Sequence, residues 1–303
     1  MLQLRNRFIS TLLCCCLIAT VIPIFTFTSS ANLDDDYVYE IADGEVIITA
    51  YKGTESSIVI PNTINNLPVT AIGCLAFYRS YGLTSVIVPN SVTSIDTSAF
   101  RACQDLKNIV LSSSLLSISD YTFEGCYHLT NIVIPESIVS IGQRAFGGCS
   151  SIKSIIFPNS LTTIENYAFA GCTSLSTVII PENVTRIGTG AFNFNIYDYL
   201  PQYPIKSLSI IGYENTKAQS YAKGNGIPFI AIKDYPADAL GDVNADDAID
   251  AQDALLALQQ SVKTVALGEA SAAMADVDKN GAINARDALL MLQYSVHLIN
   301  SFD

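Results

Sequence analysis

Residues 141–163 read IGQRAFGGCSSIKSIIFPNSLTT, and the stretch that follows directly, 164–186, reads IENYAFAGCTSLSTVIIPENVTR. Both stretches carry an Ile, an Ala-Phe pair, a Cys and a Pro at the same positions. The Phe recurs at a constant interval of twenty-three positions, at Phe77, Phe100, Phe123, Phe146, Phe169 and Phe192. An Ile precedes each Phe at a constant distance, at Ile72, Ile95, Ile118, Ile141, Ile164 and Ile187. A fixed period in the twenties is typical of a solenoid, in which each unit is too small to bury its own apolar face.

Each unit also contains a short run of apolar residues with strand-like alternation. The residues are Leu83, Val86 and Val88, then Leu106, Ile109 and Leu111, then Leu129, Ile132 and Ile134, then Ile152, Ile155 and Phe157, then Leu175, Val178 and Ile180. Because side chains alternate across a strand, we expect these positions to face inward. A Pro that follows a strand ends its ladder pairing. The Ile and Ala-Phe positions then predict a second extended segment and a helical turn.

The run Ile-x-x-x-Ala-Phe-x-x-Cys-x-x-Leu-x-x-Ile-x-Ile-Pro resembles the repeat of BspA-type leucine-rich repeat proteins, over roughly residues 37–232. The resemblance implies a mostly β solenoid with a cap at each end. In the N-terminal cap, strands are predicted at Tyr37–Ile41, Val46–Tyr51 and Ser57–Ile60. In the C-terminal cap, strand Leu208–Ile211, a helix-like stretch Thr216–Lys223 and strand Ile227–Ile232 follow an aromatic insertion at 194–203. Two alternatives stay open for the insertion: stacking on sugar rings, or packing within the cap.

Alternate strand positions predict an apolar strip on the outer face of the solenoid. It takes one aliphatic residue from each unit: Ile87, Val110, Val133, Ile156 and Ile179. Exposed apolar strips often mark a partner site. The alternatives are the β-propensity of branched residues and a second layer of chain that covers the strip.

Four cysteines recur with the same period, at Cys103, Cys126, Cys149 and Cys172. Stacked repeats place equivalent residues about 4.8 Å apart with parallel side-chain directions. A disulfide needs Cβ atoms near ~3.8 Å and a twisted geometry. We therefore expect buried, small apolar side chains rather than a disulfide framework.

Residues 1–31 have the layout of a secretory signal peptide. Arg5 and Arg7 precede an apolar run from Phe8 to Phe27, and small residues allow cleavage after Ala31. The run is nearly long enough to span a bilayer, so an uncleaved anchor is the alternative. Both alternatives predict export, with a repeat domain at residues 32–232.

After a linker at residues 233–240, residues 241–303 contain two copies of one segment, offset by thirty-four positions. Each copy has oxygen donors at positions 1, 3, 5, 7, 9 and 12 of a loop, followed by apolar residues at helical spacing. The donors are Asp242, Asn244, Asp246, the carbonyl of Ala248, Asp250 and Asp253, then Asp276, Asp278, Asn280, the carbonyl of Ala282, Asn284 and Asp287. Because calcium takes six to eight oxygens, this spacing predicts two Ca²⁺ ions. The plainer alternative is an acidic, solvated surface.

The duplicated loop and helix, with no helix before each loop, resembles a type I dockerin, the module that docks into cohesin domains of cellulosomal scaffolding proteins. The resemblance implies a small all-α calcium-binding domain at residues 241–303 whose helix faces contact the cohesin. The residues at the family's recognition positions are Ala251, Gln252, Leu258, Gln259 and Lys263 in copy one, and Ala285, Arg286, Leu292, Gln293 and His297 in copy two.

The net charge of −12 argues against nucleic acid or an anionic membrane as a partner. With two His and no Trp, the chain offers little for imidazole chemistry. Together with the predicted export, the resemblance to a type I dockerin implies a secreted, extracellular, non-catalytic binding or adhesion protein in a cellulosome-like complex. Its dockerin binds a cohesin, and its repeats bind an unknown protein or polysaccharide. The alternative is an enzyme or protease inhibitor delivered by the same dockerin.

Overall fold

The computed structural model describes residues 36–192 and 208–231, with Val243, Asp253, Leu256, Ala257, Ala275, Val277, Ile283, Asp287, Ala288 and Met291. Within these residues, no helix is long and apolar enough to cross a bilayer. The predicted signal peptide at 1–31, the aromatic insertion at 194–203 and the linker at 233–240 lie outside the described residues.

The described residues form short strands and one helix. The strands are β1 (Tyr37–Ala42), β2 (Glu45–Tyr51), β3 (Ser57–Val59), β4 (Thr63–Ile64), β5 (Leu67–Ile72), β6 (Ser85–Ile87), β7 (Ser94–Ile95), β8 (Asn108–Val110), β9 (Ser117–Ile118), β10 (Asn131–Ile132), β11 (Ser140–Ile141), β12 (Ser154–Ile156), β13 (Thr163–Ile164), β14 (Thr177–Ile180), β15 (Arg186–Ile187), β16 (Ser209–Gly212) and β17 (Phe229–Ala231). Helix α1 (Lys217–Asn225) lies between β16 and β17. The architecture is a β-solenoid, as the period predicts.

An antiparallel hairpin of β1 and β2 begins the solenoid. Its turn residues Asp43 and Gly44 have φ angles of 52° and 82°, and a two-residue hairpin turn of type I′ needs two positive φ angles. Strand β2 then pairs in parallel with β5 of the first repeat. The hairpin thus covers the edge of the first repeat, as expected for a cap.

Two parallel ladders run along the repeats. In the first, β3, β6, β8 and β10 form one four-stranded sheet, and the equivalent strands β12 and β14 form another with β16 and β17. In the second, β7 pairs with β5, and β9, β11, β13 and β15 form a further sheet. The Ile of each repeat in this second ladder is buried, from Ile72 to Ile187, and lies in the second extended segment that the sequence predicts.

The corner around each Ala-Phe pair consists of consecutive tight turns, where the sequence predicts a helical turn. The residue two positions before the Phe has a positive φ angle in each repeat: Leu75, Ser98, Tyr121, Arg144, Tyr167 and Gly190. Amide groups here donate to the next repeat, for example Phe100 N–H to the Thr122 carbonyl at 3.0 Å. These hydrogen bonds between repeats make the corner a third ladder along the solenoid. A helical turn would form its hydrogen bonds within its own segment and would not link the repeats.

The six periodic Phe rings stack in one column through the core, each with an exposed fraction of 0%. Neighbouring ring centroids lie 4.7–5.7 Å apart with interplanar angles of 6–19°. Tyr51 extends the column at the N-terminal end, 5.2 Å from Phe77. Tyr221 of α1 closes it at the other end with a T-shaped contact to Phe192 at 6.0 Å. The Phe residues that recur in the sequence therefore form the axis of the core.

The four periodic cysteines are free and fully buried, which confirms the prediction of small apolar side chains. Each thiol also donates to the carbonyl of the Phe in the preceding repeat. The Sγ–O distances are 2.9 Å for Cys103 to Phe77 and 3.2 Å for Cys126 to Phe100, Cys149 to Phe123 and Cys172 to Phe146. Burial raises the pKa of the Cys103 and Cys172 thiols to about 12.

The C-terminal cap contains the strands and helix that the sequence predicts, with small differences at their ends. Helix α1 ends at Asn225 and is capped by Gly226, whose φ of 67° is the left-handed conformation typical of a helix C-cap. Tyr221 of this helix accepts a hydrogen bond from Phe192 N–H at 3.1 Å. The cap therefore satisfies a buried backbone group as well as covering the Phe column.

Candidate functional site

The outer strip predicted from the sequence is only partly exposed. Val133 is 38% exposed, and Ile87 and Val110 are half-buried. The expectation is wrong for Ile179, which is 6% exposed. The side chain of Ile156 lies outside the described set.

Ile179 is buried although it lies on the outer face, because that face is covered near the C-terminal cap. Ile179 pairs in register with Ile211 of β16, and Ile211 has an exposed fraction of 0%. Neither residue belongs to the continuous core of the repeats. Ile87 and Val110 pair in register in the same way but are half-buried. The C-terminal end of the strip therefore fits the covered-strip alternative, and the middle repeats fit the exposed one.

A polar cluster that the sequence analysis did not identify lies at the Ala-Phe corner. The Glu124 carboxylate is nine-tenths buried, with Oε2 2.7 Å from Arg101 Nε and Oε1 3.2 Å from Arg144 Nη1. The Arg101 contact is an ion pair without hydrogen-bond geometry, since Oε2 has no hydrogen-bond partner among the described residues. Three repeats thus contribute one charged residue each to a single site.

A groove of about 250 Å³ opens beside Glu124. It is lined by Tyr78, Arg79, Arg101, Ala102, Gln104, Glu124, Gly125 and Tyr127. The Arg79 guanidinium lies 5.0 Å from the centroid of the Tyr78 ring, and the Arg101 guanidinium lies 5.7 Å from that of Tyr121. A periodic alignment could have shown that Arg101 and Glu124 occupy the same position, directly after a periodic Phe, and that Arg79 lies one position later in its own unit.

Cys126 and His128 do not form a nucleophile and base pair. The Cys126 thiol donates to the Phe100 carbonyl, and burial raises its pKa well above the usual value. The exposed His128 ring places Nδ1 2.7 Å from the Gln104 carbonyl oxygen. Each side chain therefore has a different partner, and the thiol is not poised to ionise.

In the C-terminal region, the described residues of the two copies behave alike. Asp253 and Asp287 are both helical and both 0% exposed. Val243 and Val277, which occupy equivalent positions of the two copies, both lie in buried turns. Matching backbone state and burial at matching positions supports the duplication that the sequence indicates.

The donor set fits calcium. Carboxylates, amide oxygens and carbonyls are hard ligands of the kind that Ca²⁺ prefers. Position 12 of each loop is a buried carboxylate, Asp253 or Asp287. The other ten predicted ligands and the ten predicted cohesin-contacting residues lie outside the described residues.

Comparisons with protein families match both regions. The model of the BspA type leucine rich repeat region matches residues 70–197 in six copies. The model of the dockerin type I domain matches residues 240–294. No curated protein matches the chain.

Similar solved structures are leucine-rich repeat proteins. A leucine rich repeat protein of T. pallidum is 30% identical with a TM-score of 0.54, covering 60% of this chain and 82% of that one. A leucine rich cell surface protein of Faecalibacterium prausnitzii A2-165 is 31% identical, with a TM-score of 0.44 and coverage of 61% and 55%. A leucine-rich repeat protein from Bacteroides ovatus ATCC 8483 is 24% identical, with a TM-score of 0.45 and coverage of 62% of this chain and 56% of that one. The chain spans little more than half the length of the latter two.

Proposed function

Because the chain belongs to the BspA-type leucine-rich repeat family and carries a type I dockerin domain at its C-terminus, we propose that it is a non-catalytic, extracellular binding protein of a cellulosome-like complex. The dockerin attaches the chain to a cohesin of a scaffolding protein. The repeat region presents a binding surface for a protein or polysaccharide. The observation that carries this proposal is the presence of both regions in one chain.

The attachment depends on calcium in this proposal. Asp242, Asn244, Asp246, Asp250 and Asp253 hold one ion with the Ala248 carbonyl. Asp276, Asp278, Asn280, Asn284 and Asp287 hold a second with the Ala282 carbonyl. The ion neutralises carboxylates that otherwise repel one another, so its binding energy contributes to folding of the loops and helices. The cohesin then contacts the helix faces with the residues assigned above.

A binding role for the repeat region is supported by the nature of its recurring residues. The periodic Ile, Phe and Cys are buried and serve the core, so a partner must be bound by other residues of the repeats. Burial raises the pKa of the Cys103 and Cys172 thiols, so they are inert as nucleophiles. The second candidate, an enzyme or protease inhibitor delivered by the dockerin, is distinguished by a broad hydrolase and protease-inhibition assay. Turnover abolished by one point substitution contradicts the binding role.

Cohesin capture by the full chain tests the attachment. We expect Asp242→Ala with Asp276→Ala to abolish capture while the solenoid keeps its far-ultraviolet spectrum, because each loop loses its first carboxylate ligand. The matched control is Glu40→Ala with Glu182→Ala, which removes two exposed carboxylates of the repeat region and should leave capture unchanged. Equal capture with calcium and with a chelator contradicts the proposal.

A further inference from the structure

The outer face of the first parallel ladder has an aliphatic centre that is open to solvent in the N-terminal repeats. The outer strip extends back into β3, because Val59 pairs in register with Ile87, and Ile87 pairs with Val110. Val59 is 40% exposed, Val133 is 38% exposed, and Ile87 and Val110 are half-buried. The strip is covered at Ile179. A partner can therefore reach it from Val59 to Val133.

One edge of this face, which we call the lysine edge, is positively charged. Lys107 and Lys153 lie at equivalent positions two repeats apart, each three residues before the outer strip. Both side chains are exposed, and within the described part of the chain neither forms an ion pair. The carboxylate nearest to Lys107 in sequence, Asp105, accepts a hydrogen bond from Gly82 N–H at 2.9 Å instead. The lysine edge therefore fits carboxylates of a partner.

The opposite edge, which we call the glutamate edge, is negatively charged. Glu136 and Glu182 come directly after Pro135 and Pro181, and they too are two repeats apart. Glu182 is exposed and Glu136 is half-buried. The outer strip thus lies between edges of opposite charge. Charges in such an arrangement select the orientation and identity of a partner more than they raise its affinity.

The composition of the face fits a protein better than a polysaccharide. Sugar rings commonly stack on aromatic side chains, and the strand segments 84–87, 107–110 and 130–133 contain none. An apolar surface with polar borders is instead suited to an amphipathic helix, which binds through its apolar stripe.

The dimensions of the face match an α-helix that runs along the solenoid. Successive rungs lie about 4.8 Å apart, close to the pitch of about 5.4 Å of one helical turn. Side chains on one face of an extended strand are about 6.8 Å apart, which is a poorer match. Lys107 and Lys153 are two rungs or about 9.6 Å apart, and positions i and i+7 of a helix are about 10.5 Å apart. The distance of about 10 Å along the chain from Lys107 to Val110 is close to the helix diameter of about 10–12 Å.

We propose that this face binds an amphipathic α-helix of a protein partner. The apolar stripe of the helix lies on the outer strip, its carboxylates lie on Lys107 and Lys153, and its basic side chains lie toward the glutamate edge. The rungs from β3 to β12 span about 19 Å, so the contact takes about thirteen residues of helix. This assignment rests on the proposed function of the repeat region as a binding surface, and it selects protein as the ligand.

The probe is a set of three designed, monomeric helices that share one leucine stripe. The split helix has glutamates along one side of the stripe and lysines along the other, the acidic helix has glutamates on both sides, and the basic helix has lysines on both. Isothermal titration with a reductant measures their binding to the full chain. We expect the split helix to bind about 3- to 30-fold more tightly than either other helix, as for two exposed ion pairs. Equal binding of all three, or no detectable binding of any, overturns the proposal.

Reversal of the lysine edge tests the recognition of charge. Lys107→Glu with Lys153→Glu should transfer the preference from the split helix to the basic helix, because both edges are then acidic. The matched control is Lys52→Glu with Lys217→Glu, which makes the same change in net charge at two exposed lysines away from this face. The control should keep the wild-type order of the three helices. An unchanged order in the Lys107 and Lys153 variant contradicts the proposal.

Val133→Thr tests the outer strip without a change of charge. It replaces a partly exposed methyl group by a hydroxyl, and we expect binding of the split helix to weaken about 2- to 10-fold. Val139→Thr is the matched control, because Val139 is 42% exposed and directly precedes β11 of the second ladder. Equal affinities in the two variants would place the helix elsewhere and overturn the assignment.

A chelator and a soluble neutral glucan keep this assignment distinguishable from the proposed function. Helix binding should persist in the chelator, because the face belongs to the repeat region. If the glucan bound and no helix did, or if the glucan displaced the split helix, the helix assignment would be refuted and the binding role of the repeats would stand. Helix binding without cohesin capture would refute the scaffold attachment alone.

Discussion

At the scale of single residues, the fold leaves least room for a side chain where one repeat contacts the backbone of the next. A Cβ atom added at Gly142 would lie 2.7 Å from Asp120 N and 2.8 Å from the carbonyl carbon of Ser119. Both contacts involve backbone atoms, which cannot rotate away as the end of a side chain can. The backbone at Gly142 therefore leaves no room for a side chain, although the equivalent positions in the two neighbouring repeats are Ser119 and Glu165.

We predict that Gly142→Ala lowers the free energy of unfolding by about 1–3 kcal/mol, the usual cost of overpacking. Gly224→Ala is the matched control: no atom lies within 4 Å of its added Cβ, and it lies in helix α1. There alanine should stabilise by about 0.5–1 kcal/mol. Urea unfolding of both variants measures the difference, and equal effects would show that the repeats are not in close backbone contact.

The buried thiols make a prediction about alkaline stability. Desolvation raises the pKa of Cys103 and Cys172 from 9.0 to about 12 and those of Cys126 and Cys149 well above 9.0. Below pH 9 both the folded and the unfolded chain hold these protons, so the stability is fully present. Above pH 9 only the unfolded chain releases them, so stability falls as the pH rises toward 12.

We expect the free energy of unfolding, measured by urea with a reductant, to fall between pH 9 and pH 10. In this window the tyrosines, with an ordinary pKa of 10.0, contribute less than the thiols. A chain with all four cysteines changed to alanine should be less stable at pH 8 and flatter between pH 9 and pH 10. A parallel fall in both chains would refute the assignment to the thiols.

At the scale of elements, the caps complete what the repeats leave open. Burial raises the pKa of Tyr221 to about 12, and its hydroxyl accepts the hydrogen bond from Phe192 N–H. Tyr221→Phe keeps the ring contact but leaves this amide without that acceptor. We predict a loss of about 1–3 kcal/mol, the cost of an unsatisfied buried donor.

The control for the cap is Tyr81→Phe, since Tyr81 is 61% exposed and exposed substitutions usually change stability by less than about 0.5 kcal/mol. Urea unfolding followed by circular dichroism measures both variants. If Tyr221→Phe were as stable as the wild type, the hydrogen bond of the cap would contribute nothing.

How far the sequence predicts these elements depends on how local their cause is. The strands follow from alternation and period, so β1, β2 and the two ladders lie where the residues indicate. The tight turns at the corner were harder to predict, because residues with a positive φ angle there, such as Tyr121 and Arg144, are not glycines. Burial of Ile179 depends on packing outside the repeat core, and periodicity carries no information about that.

The groove illustrates the same limit at a site. Arg79, Arg101 and Glu124 come from three units and do not recur, so no single motif contains them. The predicted calcium loops, by contrast, are local and duplicated, so spacing alone is enough to propose their twelve ligand positions. Local chemistry can therefore be proposed from this sequence, whereas chemistry assembled across repeats needs the fold.

At the scale of the whole molecule, the chain joins a region that folds by stacking to one that we propose folds by binding metal. The stacked region has a continuous apolar core from Tyr37 to Ile227. The C-terminal region instead concentrates carboxylates, two of which are fully buried. A chelator should therefore leave the solenoid folded and unfold only the dockerin.

The most direct test of this account is a calcium titration of the chelated full chain, followed by heat and far-ultraviolet circular dichroism, with Asp242→Ala plus Asp276→Ala as the control. We predict heat of binding and a gain in helical signal for the wild type, and neither for the control. A wild-type titration without heat and without any gain in helicity would contradict the calcium-dependent dockerin and the scaffold attachment proposed from it.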